Sequence, residues 1–290
     1  MIPRSFQYHA PTSVSEAAGL LAQYGDRAKL LAGGHSLLPL MKLRLAEPEV
    51  LIDLGRISDL SYVREDDGGL AIGAMTTYAE LASSDLVRQR APVLAEAASI
   101  VADIQVRNKG TIGGCLAHSD PAGDLPAVVL ALGAQLTAVS ASGSRSIAID
   151  DFFVDLLTTA LEPGEVLTEV RVPALPSGTG GAYFKFANKA SHYAIVGVAA
   201  VVTLDGDGTC TAARVGVTGA GPKATRATAT EAALTGRRLD DAAIAEAAAQ
   251  ASQGIDFNED IHASAEFRAH LTTVYARRAI AAAVERARQA

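Results

Sequence analysis

The stretch Leu31-Ala32-Gly33-Gly34-His35-Ser36-Leu37-Leu38-Pro39-Leu40 connects two apolar runs through a pair of glycines. The run before it, residues 28–31, predicts one short buried strand, and the run after it, residues 37–45, predicts a helix. Paired glycines can adopt positive φ and let successive backbone N–H groups converge on one point, and the Ser36 hydroxyl can cap the helix. The stretch is therefore typical of a turn that binds an anion, with an ordinary Gly-Gly turn as the alternative.

A second turn of the same character lies at Gly110-Thr111-Ile112-Gly113-Gly114-Cys115. It leads into residues 118–126, a run of turn-forming residues that contains two carboxylates. Two such turns could hold the two halves of a diphosphate. Neither turn is G-x-G-x-x-G and no Gly-Lys-Ser/Thr follows, so the pattern indicates a dinucleotide held outside the Rossmann and P-loop folds.

These two motifs resemble those of the flavoprotein (medium) subunits of the molybdenum hydroxylases, most closely the aerobic carbon monoxide dehydrogenase branch. The similarity extends over essentially the whole chain. It includes Phe-Gln-Tyr-His-Ala-Pro at 6–11, Ser-Asp-Pro-Ala-Gly-Asp at 119–124, Pro-Gly-Glu-Val-Leu at 163–167 and Tyr-Ala-Ile-Val-Gly-Val-Ala at 193–199.

The resemblance implies an α+β chain with a PCMH-type FAD-binding fold. Residues 1–175 would form the FAD-binding domain, with a small α/β subdomain at 1–55 and a mixed α+β subdomain at 56–175. Residues 178–290 would form a C-terminal domain of a β-sheet and helices. The residues 175–181, Leu-Pro-Ser-Gly-Thr-Gly-Gly, are the best linker candidate because they are rich in Pro, Gly and Ser.

Periodicity and turn signals predict the main elements. A helix begins near Ser13 or Ser15, and its apolar residues recur at helical spacing. Strands and helices alternate in the first 55 residues, which predicts a small parallel sheet with the first glycine turn at its carboxyl edge. The other predicted strands span 50–54, 70–74 and 166–172, and hairpins are predicted at 135–149 and 194–218. One further helix is predicted to begin at 76–77, and others are predicted to span 92–101, 240–251 and 263–288.

The resemblance also implies which residues bind FAD. The two turns would hold its pyrophosphate through Ala32, Gly33, Gly34, His35, Ser36 and Leu37 and through Thr111, Ile112, Gly113, Gly114 and Cys115. Asp124 would accept hydrogen bonds from ribityl or neighbouring hydroxyls, and Tyr193 would lie over the isoalloxazine. Lys185 would reach the flavin pyrimidine oxygen, where a cation stabilises the anionic reduced flavin. Ser119 and Leu167 complete the set.

Each of these residues has an ordinary structural interpretation. Asp124 can cap the helix that follows it, and Lys185 can be a solvated strand lysine. Leu167 can be strand core, and Tyr193 can be a core or interface tyrosine. The pair His118-Ser119 stands where relatives often have Ala-Ser, so the flavin contacts there are left open. No residue is expected to be catalytic in its own right, and no His, Asp and Glu set has metal-ligand spacing.

Composition excludes several classes of protein. The chain has 290 residues, of which 49% are hydrophobic and 20% charged, which is typical of a folded globular protein. Its net charge of −7 argues against binding nucleic acid or an anionic membrane surface. No run of about 18 apolar residues occurs and residues 1–6 lack a signal-peptide pattern, so we expect a cytoplasmic location and no membrane span.

The chain contains only two cysteines, Cys115 and Cys210. An iron–sulfur cluster normally needs four cysteine ligands, so any clusters must lie on another polypeptide. The resemblance accordingly implies a heterotrimer, present as a dimer of heterotrimers: this chain carries FAD, a small subunit carries [2Fe–2S] clusters and a large subunit carries the molybdopterin cofactor. Electrons from the oxidation of carbon monoxide to carbon dioxide would reach this FAD and then an external acceptor.

Three other functions are compatible with parts of the pattern, one within the family and two outside it. Flavin subunits of aldehyde, nicotine or N-heterocycle hydroxylases have near-identical motifs. A stand-alone oxidase of the vanillyl-alcohol-oxidase type shares the fold but needs a larger substrate domain than this chain supplies. A subunit that has lost FAD and only scaffolds its partners is disfavoured because both glycine turns are intact.

Overall fold

A small parallel sheet with strand order β1-β3-β2 holds the first glycine turn. The computed structural model describes residues 2–290. The elements of this unit are β1 (Gln7–His9), α1 (Val14–Tyr24), β2 (Ala28–Leu31), α2 (Leu37–Leu43) and β3 (Val50–Asp53). Ser13 caps α1 by accepting a hydrogen bond from the Glu16 N–H, as predicted. Both pairings are parallel, which places the turn after β2 at the carboxyl edge of the sheet.

A five-stranded antiparallel sheet follows, with strand order β4-β5-β10-β6-β7. Its strands are β4 (Val63–Asp66), β5 (Gly69–Gly73), β6 (Gln135–Ser140), β7 (Gly143–Ala148) and β10 (Val166–Val172), and a short hairpin beside it comprises β8 (Phe153–Asp155) and β9 (Thr158–Thr159). The predicted strand at 70–74, the hairpin at 135–149 and the strand at 166–172 are all confirmed.

Six helices lie between β5 and β6 and supply about half of the buried residues of the central hydrophobic core. They are α3 (Tyr78–Ser83), α4 (Asp85–Arg90), α5 (Pro92–Ser99), α6 (Ile104–Arg107), α7 (Ile112–His118) and α8 (Leu125–Leu132). The Thr77 cap on α3 is confirmed, because Thr77 and Glu80 form a reciprocal capping box. Every residue of α8 is buried, so this helix fixes the loop that precedes it, residues 119–124, against the core.

The C-terminal part is a four-stranded antiparallel sheet covered by a long helix. Its elements are β11 (Thr179–Ala187), β12 (Ala194–Leu204), β13 (Cys210–Thr218), β14 (Thr225–Arg226), α9 (Thr228–Leu234), α10 (Asp241–Ala248) and α11 (Ala265–Ala287). The predicted hairpin turn is confirmed, with Asp205 Oδ1 accepting from the Asp207 and Thr209 amides. The predicted linker is too long, because Gly180 and Gly181 are buried within β11.

Ion pairs join the central and C-terminal parts of the chain. Asp150 accepts hydrogen bonds from Arg214 at 2.6 Å and from Arg226 at 3.1 Å. Arg286 of α11 donates to Glu96 of α5 at 2.6 Å. Within residues 2–290, no helix has both the length and the apolar character that crossing a bilayer requires.

Candidate functional site

The first glycine turn presents a row of free backbone donors. Gly34 has φ +77°, a conformation that glycine adopts without a steric penalty. The amides of residues 33–36 donate no hydrogen bond to any other group in residues 2–290. The helix begins directly after them, with Leu38 N–H donating to Gly34 O at 3.0 Å. Four adjacent free amides at a helix start are what an anionic oxygen needs.

The Ser36 hydroxyl does not cap α2, which corrects the sequence prediction. A capping residue needs an extended backbone so that its side chain can turn back to the helix amides. Ser36 instead has φ −105° and ψ −54°, within the helical region. Its hydroxyl is left free beside the unbonded amides.

The second glycine turn is built differently, because the amides of residues 112–115 are already occupied. Thr111 Oγ1 accepts from the Gly114 amide at 3.1 Å and thereby caps α7. Ile112 N–H donates to Thr76 O at 3.0 Å, and Gly113 N–H donates to Ala74 O at 2.8 Å. The Cys115 amide donates to Thr111 O. The amides of residues 112–115 are therefore all bonded to protein oxygens, whereas the Thr111 amide donates to no group within residues 2–290.

The two turns pack directly against each other, although they are far apart in sequence. A Cβ on Gly33 would lie 2.1 Å from the Lys109 carbonyl oxygen, and a Cβ on Gly114 would lie 3.3 Å from the Ala32 Cβ. His35 Nε2 donates to the Gln105 carbonyl oxygen at 3.1 Å, which ties the first turn to α6. The structure thus brings residues 32–37 and 111–115 together.

This arrangement fits the diphosphate of FAD. The free amides of residues 33–36 can donate to phosphate oxygens. Gly113 and Gly114 let the second turn pack closely against Ala74 and Ala32. An added Cβ on Gly113 would lie 2.4 Å from the Ala74 Cβ, so only glycine fits between these segments.

Asp124 and Lys185 form a buried ion pair beside the second turn. Lys185 Nζ lies 3.0 Å from both carboxylate oxygens of Asp124, and the two side chains are 7% and 5% exposed. Tyr183 donates to Asp124 Oδ1 at 2.6 Å. The alternative interpretations are wrong for both residues: Asp124 does not cap α8 with its side chain, and Lys185 is not a solvated strand lysine.

Burial dominates the electrostatics around this pair. Burial raises the pKa of Asp124, and the Lys185 ammonium and the Tyr183 hydroxyl partly offset this effect. Burial also raises the pKa of the Cys115 thiol to about 12 and that of Tyr78 well above its usual range. Cys115 is therefore a protonated, unreactive thiol at neutral pH.

The remaining predicted residues lie around the same region. Ser119 is buried in the left-handed conformation that ends α7, and Leu167 is a buried residue of β10. Tyr193 is 46% exposed, so it is not a core tyrosine. A cavity of about 280 Å³ opens beside Tyr193 and is also lined by Asp120 and His262.

Sequence reasoning missed Tyr183, whose hydroxyl occupies one oxygen of Asp124. A signal for it existed. Side chains two residues apart on a strand point to the same face, so a buried Lys185 implies that Tyr183 points the same way. It also missed Ala74 and Thr76, whose carbonyls occupy the amides of the second turn, because backbone pairing between distant loops leaves no local pattern.

Two family models match this chain. Residues 4–175 match the FAD binding domain in molybdopterin dehydrogenase, and residues 181–283 match the CO dehydrogenase flavoprotein C-terminal domain.

Individual relatives match over nearly the full length. The carbon monoxide dehydrogenase medium chain of Hydrogenophaga pseudoflava is 44% identical, over 98% of this chain and 98% of its own length. The 6-hydroxypseudooxynicotine dehydrogenase complex subunit alpha of Paenarthrobacter nicotinovorans is 43% identical, over 99% of this chain and 97% of its own. A solved structure of the Hydrogenophaga pseudoflava carbon monoxide dehydrogenase, which lacks the Mo-pyranopterin moiety, has a TM-score of 0.96, 46% identity and 99% coverage of both chains.

Proposed function

We infer the function of this chain from the family to which it belongs, that of the FAD-binding domain in molybdopterin dehydrogenases. We propose that it is the FAD-carrying electron-transfer subunit of a heteromeric molybdenum hydroxylase. Carbon monoxide is the proposed substrate of the whole assembly, with water as co-substrate and carbon dioxide as product.

The observation that carries the proposal is the row of four unbonded amides at residues 33–36, packed against a second glycine turn. Residues 33, 34 and 36 are half-buried and His35 is exposed, so their amides are accessible to an acceptor that a ligand or water supplies. Because neither turn contains Lys or Arg, the expected ligand is held by backbone donors in the way a diphosphate is held.

In this proposal each group of residues has a separate task. Residues 32–37 donate backbone hydrogen bonds to the diphosphate, and residues 111–115 form the second turn that contacts it. Asp124, Lys185 and Tyr193 surround the ring system, together with Ser119 and Leu167. When bound, FAD supplies a ring that accepts and releases electrons, and the chain supplies orientation and a low-dielectric surrounding.

The assembly needs partner subunits, because this chain has only two cysteines and cannot ligate a cluster by itself. We propose a small iron–sulfur subunit and a large molybdopterin subunit, arranged as a dimer of heterotrimers, and an external electron acceptor. We retain residues 1–175 and 178–290 as the proposed domains, which the ends of the two family matches support. Both cysteines are free thiols, which supports a cytoplasmic location.

A second candidate substrate is an N-heterocyclic or nicotine-derived compound. One observation favours it: the 6-hydroxypseudooxynicotine dehydrogenase subunit is about as similar to this chain as the carbon monoxide dehydrogenase subunit. The residues that select a substrate would lie on the molybdopterin subunit, so the activity of the assembled complex distinguishes the two substrates.

The test is an absorption spectrum and an activity screen of the native complex, purified through a tag on this chain. We expect flavin and [2Fe–2S] bands, two further subunits and dye reduction by carbon monoxide. Reduction only by an aldehyde or a heterocycle would replace the substrate and keep the architecture. A colourless chain that purifies alone would contradict the proposal.

A further inference from the structure

The hydroxyl of Tyr183 lies at the start of a chain of buried contacts. Tyr183 is 2% exposed and donates to Asp124 Oδ1 at 2.6 Å. Gly197 on the neighbouring strand β12 leaves room for the phenol, because an added Cβ there would lie 2.4 Å from the Tyr183 oxygen. The phenol therefore has a fixed position against the carboxylate.

Asp124 in turn holds Lys185, whose ammonium group is fully occupied. Lys185 Nζ donates to Asp124 at 3.0 Å, to the Ile100 carbonyl at 3.0 Å and to the His192 carbonyl at 2.8 Å. A lysine ammonium has three N–H donors, and all three are used here. Lys185 thus ties together the segment after α5, the loop before α8 and the connection between β11 and β12.

The connection between β11 and β12 carries Tyr193, and we call residues 188–193 the Tyr193 loop. His192 has φ +61°, a conformation that is costly for a residue with a side chain. The loop closes on itself through Asn188 N–H to Tyr193 O at 2.9 Å and His192 N–H to Asn188 O at 2.8 Å. The carbonyl that Lys185 holds belongs to the residue directly before Tyr193.

We propose that Tyr183 is a positioning residue, which fixes Asp124 so that Lys185 holds the Tyr193 loop in place beside the two glycine turns. Tyr183 acts through Asp124 and Lys185 and makes no contact with the cofactor itself. This inference rests on the proposed function only in that the neighbouring turns hold FAD. It assigns Lys185 to holding the loop, since each of its donors already has a protein acceptor.

The ionisation of Asp124 links this chain of contacts to pH. A charged Asp124 binds Lys185, whereas a protonated Asp124 leaves the ammonium without a counter-charge. Removing the Tyr183 hydroxyl removes one hydrogen bond to the carboxylate, so the pKa of Asp124 should rise further. The other titratable groups that face Asp124 are Cys115, Tyr78 and Tyr193, together with Asp120 beside them.

The chain has no tryptophan, so Tyr193→Trp provides a single fluorescent reporter on the loop. We would measure acrylamide quenching of this tryptophan against pH in the full chain without FAD. Quenching should rise at acid pH as Asp124 is protonated. Adding Tyr183→Phe should move this rise upward by roughly one pH unit, the effect of losing one hydrogen bond to a carboxylate. Coincident profiles for the two proteins would overturn the proposal.

Tyr8→Phe is the matched control, because Tyr8 donates to Asp53 at the same 2.6 Å distance elsewhere in the chain. It should leave the profile unchanged, and a shift as large as that of Tyr183→Phe would overturn the proposal.

Lys185→Met is the second test. It should give high quenching at every pH, and Tyr183→Phe should then add nothing, because Tyr183 acts through Lys185. The proposal would be overturned if Lys185→Met showed the same quenching as the protein that carries only Tyr193→Trp. It would also be overturned if Tyr183→Phe had as large an effect in the Lys185→Met protein as in the protein that retains Lys185. These fluorescence measurements need no cofactor. A negative result would therefore overturn the role of Tyr183 without affecting the proposal that the chain binds FAD. Conversely, if the chain did not bind FAD, the fluorescence measurements would still test the role of Tyr183.

Discussion

Gly33 and Lys109 are in direct backbone contact, and this contact joins the two glycine turns. A Cβ on Gly33 would lie 2.1 Å from the Lys109 carbonyl oxygen and 2.8 Å from the Gly110 Cα. Neither partner is a flexible side chain, so a larger residue at position 33 must push the turns apart. The geometry of the proposed diphosphate site therefore depends on one missing methyl group.

Gly33→Ala should destabilise the chain and weaken FAD binding. Overpacking of this kind costs about 1–3 kcal/mol of unfolding free energy, and the displaced turns should lower the affinity for FAD by at least roughly tenfold. Urea denaturation and a fluorescence titration with FAD measure the two effects. Gly19→Ala is the control, since nothing lies within 4 Å of its added Cβ in α1, and it should be neutral or stabilising.

Gly34→Val should abolish FAD binding. Gly34 has φ +77°, and its added Cβ would lie 2.9 Å from the Leu38 side chain in addition to crowding the free amides. Gly236→Val separates backbone strain from site geometry, because Gly236 has φ +80° with nothing within 4 Å. Both variants should lose stability, and only Gly34→Val should lose FAD. Stoichiometric flavin in Gly34→Val would show that the first turn is misplaced.

Thr111→Val should lower the flavin content of the purified chain and Cys115→Ala should not, although both residues lie in the second turn. Thr111→Val leaves the Gly114 amide without its acceptor and removes the cap of α7, at a cost of about 0.5–2 kcal/mol. Cys115→Ala should retain FAD, because the residue contributes a protonated thiol and its amide is already bonded to Thr111. Flavin content after gel filtration distinguishes them, and equal loss in both would refute this division.

Glu169→Gln should lower the unfolding free energy at neutral pH. It should also make the unfolding free energy less dependent on pH in the acid range. Burial alone would raise the pKa of Glu169, but hydrogen bonds from Arg171, Tyr62 and Arg64 outweigh it and hold the pKa below its usual value of 4.5. A depressed carboxyl pKa stabilises the fold above the unfolded-state pKa, and this stabilisation is lost as pH falls through the folded-state pKa.

Glu169→Gln should lower the unfolding free energy by about 1–3 kcal/mol at neutral pH. In strong acid the unfolding free energies of the variant and the parent should become equal. Urea denaturation across pH measures these free energies. Glu49→Gln is the control, because the Glu49 side chain is 67% exposed and its ion pair with Arg27 spans 3.6 Å. A constant difference between parent and Glu169→Gln at all pH values would contradict the linkage.

Local patterns in the sequence were sufficient for most of the elements. The Gly-Gly turns, the Ser13 and Thr77 caps, the Asp205–Gly208 hairpin turn and the long C-terminal helix depend on residues that are close in sequence, and the structure has each of them. Strand β1 was not predicted, because its three residues are stabilised by pairing with β3, more than 40 positions away.

The sequence by itself determined that two glycine turns exist and that Asp124 and Lys185 belong near them, because glycine spacing and family resemblance are properties of the linear chain. Only the tertiary structure decided that the amides at 33–36 stay free while those at 112–115 are bonded to Ala74, Thr76 and Thr111. It also decided that Lys185 gives all its donors to protein oxygens. The physical reason is that hydrogen bonds form between groups that are close in space, whatever their separation in sequence. When both groups are buried, leaving either one unpaired costs free energy, so the tertiary structure determines which pairs form.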